Sequence, residues 1–133
     1  MSVSAISRRE EQMIDHVVLY VSDLGRSRRF YEQALEPVGY GIVFEMEGLV
    51  AFGSEGQTRF AVRSGKEPNT TAHVAFQAED RATVDAFHAA AMAAGGMDEG
   101  PPGVRENYGP TYYAAFVGDP DGNNVESVCR KPA

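Results

Sequence analysis

Residues 15–35 read DHVVLYVSDLGRSRRFYEQAL, and residues 72–92 read AHVAFQAEDRATVDAFHAAAM. Laid over one another at a constant offset and without a gap, the two segments match His16 with His73, Val17 with Val74, Asp23 with Asp80, Phe30 with Phe87 and Ala34 with Ala91. Self-similarity of this kind marks one supersecondary unit used twice. In each copy an alternating or β-branched run ends near an Asp, and about fifteen residues with apolar side chains at helical spacing follow it. The order is strand, then helix.

Local signals sharpen that order. In the second copy Asp80 is a candidate N-cap, Val84, Phe87 and Ala91 fall on one helical face, and Gly95-Gly96 supplies a stop. In the first, Ser22 or Asp23 caps, Phe30, Tyr31, Ala34 and Leu35 form the stripe to be buried, and Pro37 and Gly39 end the helix. Short strand-like pieces separated by glycines come next: GYGIVFEMEG, LVAFGSEG and TRFAVRSG in the first half, GMDEG, TYYAAFVGD and NNVESVCR in the second. The expected class is α+β, a single domain of two tandem β-α-β-β-β modules over about 13–65 and 70–131, preceded by a polar extension over residues 1–12.

Composition narrows the function. A chain of 133 residues is one domain's length, and its 43% hydrophobic and 23% charged residues are ordinary for a folded protein. Its 12 Lys and Arg against 19 Asp and Glu give a net charge of −7, which repels nucleic acid and anionic lipid. The cluster Arg26, Arg28 and Arg29 reads as a solvated helix face. The single Cys129 can form no internal disulfide, and no apolar run approaches the roughly 20 residues of a membrane span, so a reducing, cytoplasmic setting is expected.

Alternation sorts the first strand of each module into faces. Val17, Leu19 and Val21 oppose His16, Val18 and Tyr20, just as Val74, Phe76 and Ala78 oppose His73, Ala75 and Gln77. The apolar face is expected against the helix, so both histidines look the other way. One such histidine is ordinarily structural. Two at matched positions could converge on one point if the copies pack about a pseudo-twofold axis.

A third candidate lies in DPDGNNVE, residues 119–126. A calcium loop fails there on spacing, because Gly122 is fourth rather than sixth and Glu126 arrives too early. A tight turn over Asp119 to Gly122, with Pro120 second, and then a strand from about Asn123 to Cys129 fit better. Asn124, Glu126 and Val128 then share one face, and Cys129 points away as a small buried hydrophobe. An acid between valines is either at a sheet edge in solvent or inside with a compensating cation.

These residues resemble the vicinal oxygen chelate superfamily of glyoxalases, bleomycin and fosfomycin resistance proteins and extradiol dioxygenases. The resemblance spans nearly everything from Ile14 to Arg130, and YYAAFVGDPDGNNVE is its most specific part. It implies a curved mixed sheet around a cleft, commonly in a homodimer, and a divalent metal held at the positions of His16, His73 and Glu126. Two imidazoles and a carboxylate suit Fe²⁺, Mn²⁺, Zn²⁺ or Ni²⁺. One departure stands out: the last strand of the first module, TRFAVRS, lacks the Glu, His or Gln that four-ligand relatives carry there. Gln57 and Glu55 lie just before it, and an inward Arg59 or Arg63 would suit an anionic substrate instead.

Two functions follow as expectations. The first is a metal-dependent lyase, isomerase or oxygenase acting on a small oxygen-rich substrate, with Tyr20 and Tyr113 as candidate proton movers and Arg105, Tyr108, Tyr113 and Gln77 as substrate contacts. The second is a drug-sequestering protein that binds without turnover between aromatic walls drawn from Phe44, Phe52, Phe60, Phe116 and the tyrosines.

Overall fold

The computed structural model describes residues 13–133, so the extension expected over residues 1–12 lies outside the described residues. The first module comprises β1 (Val17–Tyr20), α1 (Leu24–Leu35), β2 (Gly41–Met46), β3 (Leu49–Ser54) and β4 (Gln57–Arg63). The second comprises β5 (His73–Gln77), α2 (Arg81–Ala93), β6 (Met97–Val104), β7 (Tyr113–Gly118) and β8 (Asn124–Cys129). Their four-stranded sheets have the same order, β1-β4-β3-β2 and β5-β8-β7-β6. Only β1/β4 and β5/β8 are parallel. A parallel pair needs a long crossover, and the helix with its two following strands provides it.

Both helices form where capping and periodicity place them. The Asp23 carboxylate accepts from the Arg26 N–H and the Asp80 carboxylate from the Thr83 N–H, each satisfying a donor the helix start leaves free. Phe30, Tyr31, Ala34 and Leu35 of α1, and Val84, Phe87 and Ala91 of α2, are buried against their sheets. Each large side chain among them stabilises the fold by roughly 1.5–3 kcal/mol through burial. In the basic cluster Arg28 leans off α1 onto Glu45 and Glu32, Arg26 lies 4.0 Å from Asp121, and Arg29 is exposed. No described helix is long and apolar enough to cross a membrane.

One core joins the modules. Phe60 of β4 meets Phe76 of β5 edge-on at 5.3 Å, Tyr40 meets Phe76 at 6.1 Å, and α1 packs on α2. The Tyr31 hydroxyl of α1 donates to the buried Asp119 carboxylate at 2.6 Å, binding the first module to the turn before β8. β6 extends to Val104, beyond the GMDEG piece that composition suggests. Its Pro101 and Pro102 are tolerated because β6 is an edge strand with register shifts.

Candidate functional site

The site begins with register. β5 and β8 run parallel with His73 opposite Asn124 and Ala75 opposite Glu126, so His73 and Glu126 are diagonal neighbours on one face. That face is the one turned away from α2, since Val125 and Cys129 pack in the core. His73 Nε2 lies 2.8 Å from Glu126 Oε1. The imidazole side chain is 53% exposed, whereas the carboxylate is 3% exposed.

The turn before β8 fixes this pair. Asp119 Oδ1 accepts from the Asp121 and Asn123 amides, and Gly122, at φ +94, closes the turn by donating to the Asp119 carbonyl. Asn123 is fully buried; its Oδ1 accepts from the Ala72 N–H at 2.9 Å and its Nδ2 donates to the Asn69 carbonyl at 2.7 Å. One amide side chain therefore clips the residue before His73 to the residue three before Glu126.

Three further groups complete the surroundings. Tyr112 donates its hydroxyl to Glu126 Oε2. Burial, reinforced by that hydrogen bond to a carboxylate, pushes the Tyr112 phenol up to about 12. Phe116 stands opposite Glu126 in the β7/β8 register, and its ring meets His73 edge-on at 6.2 Å. Arg105 lies over the Phe116 ring and Arg130 over the Tyr112 ring. An ionised Glu126 can only accept, so His73 donates Nε2–H to it, and Nδ1 of a neutral imidazole keeps a free lone pair.

The sequence candidates divide between two places. Gln77 shares the His73 face of β5 and lines a cavity of about 670 Å³ between the modules, together with Asp15, Val17, Arg59 and Phe60. Tyr108 is exposed, and its ring meets that of Tyr112 at a tilt with centroids 5.2 Å apart. Tyr113 points the other way: its hydroxyl donates to Asp85 of α2 at 2.6 Å, and the neighbouring Tyr112 reaches the site instead. Tyr20 sits in the first sheet with its ring under Arg63 and Lys66, away from His73 and Glu126.

His16 is likewise in the first module, where its Nδ1 lies 2.8 Å from Asp15 Oδ1. That hydrogen bond is the main reason the Asp15 carboxyl falls below its ordinary value. Arg59 donates to the Asp15 carbonyl and to Gln57 Oε1, so Gln57, which begins β4, holds a guanidinium. Among the described residues no three His, Cys, Asp or Glu side chains are close enough to hold one metal ion. His73 and Glu126 fit a divalent cation in kind, through the free Nδ1 of the imidazole, or its Nε2 once that proton is released, and through a carboxylate oxygen. One chain thus brings two donors together and leaves His16 apart.

Residues 13–127 match the sequence profile of the Glyoxalase/Bleomycin resistance protein/Dioxygenase superfamily. No curated protein matches the chain significantly. Among solved structures, a glyoxalase/bleomycin resistance protein from Albidiferax ferrireducens T118 is 32% identical, with alignment over 90% of this chain and 100% of that one at a TM-score of 0.78. A glyoxalase-related enzyme from Fulvimarina pelagi is 22% identical over 89% of this chain and 88% of its own, at a TM-score of 0.68. A lactoylglutathione lyase from Agrobacterium tumefaciens is 23% identical over 89% and 93%, at 0.66. The last two share the fold.

Proposed function

The chain belongs to the Glyoxalase/Bleomycin resistance protein/Dioxygenase superfamily, and from that premise we propose that it is a divalent-metal-dependent enzyme acting on a small oxygen-rich molecule. In this reading it works as a homodimer, and His73 and Glu126 of one chain hold the cation with His16 of a second copy. The observation that carries it is Glu126. A carboxylate 3% exposed, with an imidazole nitrogen 2.8 Å from one oxygen, puts two groups of metal-ligating type side by side on one sheet face.

When bound, the cation supplies Lewis acidity toward a substrate oxygen. The chain's own groups do the rest. Tyr112, with its phenol near 12, stays protonated at neutral pH and holds Glu126 Oε2 by donation, which orients the carboxylate toward His73. Phe116 walls the pair on the β7 side.

A second reading, binding without turnover, draws on the fact that one chain gathers only two donors and that His73 and Tyr112 already compensate Glu126. Metal analysis separates the two. Wild-type protein is expected to bind about one divalent ion per chain, and His73→Ala, Glu126→Ala and His16→Ala each to lose at least tenfold in affinity. If wild type and all three variants take up equally little Mn²⁺, Zn²⁺, Ni²⁺ and Fe²⁺, the metalloenzyme reading falls and the sequestering one stands.

A further inference from the structure

Two guanidinium groups flank the His73–Glu126 pair, and neither has a carboxylate partner among the described residues. Of the eight other described basic side chains, four are in ion pairs, Arg26 with Asp121, Arg28 with Glu45, Arg59 with Asp15 and Lys131 with Glu79, while Arg29, Arg63, Lys66 and Arg81 are not and lie away from this pair. Arg130 instead stands with its guanidinium carbon 4.9 Å from the centroid of the Tyr112 ring, the same ring whose hydroxyl holds Glu126. Arg105 lies 5.3 Å from the centroid of Phe116, the residue opposite Glu126, and its one hydrogen bond goes to the Pro101 carbonyl at 2.6 Å.

The place of Arg105 is built. A Cβ on Gly100 would come within 2.9 Å of Phe116 Cδ2 and 3.1 Å of Arg105 Nη2, and one on Gly103 within 3.0 Å of Arg105 Nη1. These glycines therefore leave room for the Arg105 guanidinium beside Phe116. A guanidinium over a ring keeps its edge N–H groups available; Arg105 gives one Nη2–H to the Pro101 carbonyl, and its remaining N–H groups can meet the oxygens of a carboxylate or phosphate. Arg130 directly follows β8, and its guanidinium over the Tyr112 ring lies on the side of the sheet where Tyr112 meets Glu126.

A net charge of −7 and the Glu126 carboxylate both repel an anion, so an anionic substrate needs local compensation on the side away from Glu126. We propose that Arg105 and Arg130 are that compensation: the substrate carries a carboxylate- or phosphate-type oxyanion, which the two arginines bind while its other oxygens face His73 and Glu126. The inference rests on the reading of this face as the substrate cleft, and it makes Arg130 a specificity-determining residue.

The test uses full-length protein stripped of metal with chelator, titrated calorimetrically with inorganic phosphate and with benzoate at low ionic strength. Wild type is expected to bind both at millimolar concentrations, and Arg105→Gln and Arg130→Gln each to weaken binding by tenfold or more. Arg29→Gln, the same charge change on the exposed surface of α1, is expected to leave affinity within about twofold. Arg130→Lys recovers part of the phosphate affinity, which loss of folding would not allow. The proposal is overturned if neither anion binds wild type, or if both bind it and the two glutamine variants equally. Because metal is absent throughout, this outcome is independent of the metal analysis: arginine-dependent anion binding without metal uptake leaves an anion-binding cleft, and metal uptake without it removes only this proposal.

Discussion

Asn123 shows how one buried side chain can hold a site it never touches. Its amide joins the Ala72 N–H, the Asn69 carbonyl and the Asp119 carboxylate, so it sets where β5 and β8 begin relative to one another. A slip there would separate His73 from Glu126, because their contact depends on a diagonal register. Replacing Asn123 by Ala leaves the part-buried Ala72 N–H and the Asn69 carbonyl without that partner, and the expected cost is about 1–3 kcal/mol. Urea unfolding measures it, and amide exchange at Ala72 should accelerate in the variant. An unchanged midpoint with unchanged exchange would show that the clip is dispensable. The sequence makes DPDGNN legible as a turn that aims Glu126; that Asp119 and Asn123 also anchor α1 and β5 is not, because those partners are 88 and 51 residues away in the chain.

Elements are legible in the sequence where a local rule decides them. The Asp caps, the buried stripes of both helices and the face separation of β1 and β5 follow from periodicity and capping alone, and the structure has each. Strand starts and parity depend on hydrogen-bond register, which composition does not carry. Gln57 thus lies inside β4, and Tyr112, having the parity of Phe116, reaches Glu126 while Tyr113 reaches Asp85. The β3–β4 hairpin offers a test at this scale. Ser54 pairs with Gln57 across a two-residue turn in which Glu55 has φ +52 and Gly56 φ +74. Two positive φ values define a type I′ turn, where Asn is favoured and Glu is strained. Glu55→Asn is expected to raise stability by about 0.5–1 kcal/mol, seen as a higher urea midpoint with an unchanged slope. A midpoint at or below wild type would mean that this turn carries no strain.

At the scale of the whole molecule, the matched histidines do not meet within one chain. Packing of Phe60 on Phe76 and of α1 on α2 fixes the modules, and no described three-donor group results. Repeat matching could place His16 and His73 on equivalent faces, yet it is blind to whether those faces close on each other or on another copy, since tertiary contacts between modules decide that. The open face of the first sheet bears Val18, Phe44 and Met46, the last two 52% and 59% exposed, and it is also the face of His16. In the two-chain arrangement proposed above, the second module of another chain covers that apolar surface and carries His73 and Glu126 to His16, and twofold symmetry repeats the site. The protein is accordingly expected to sediment at twice its 14.4 kDa chain mass, and Phe44→Glu to shift it toward the monomer with parallel loss of bound metal. Mixing subunits gives the decisive reading. His16→Ala and Glu126→Ala homodimers each lack every intact site, but a heterodimer of the two has one site with all three donors from unmutated positions. After unfolding and co-refolding in equal amounts, half the dimers are mixed and each restores one site of two, so roughly a quarter of wild-type metal content should return. No recovery in a demonstrably mixed dimer would place the three donors outside a shared site and end the two-chain arrangement.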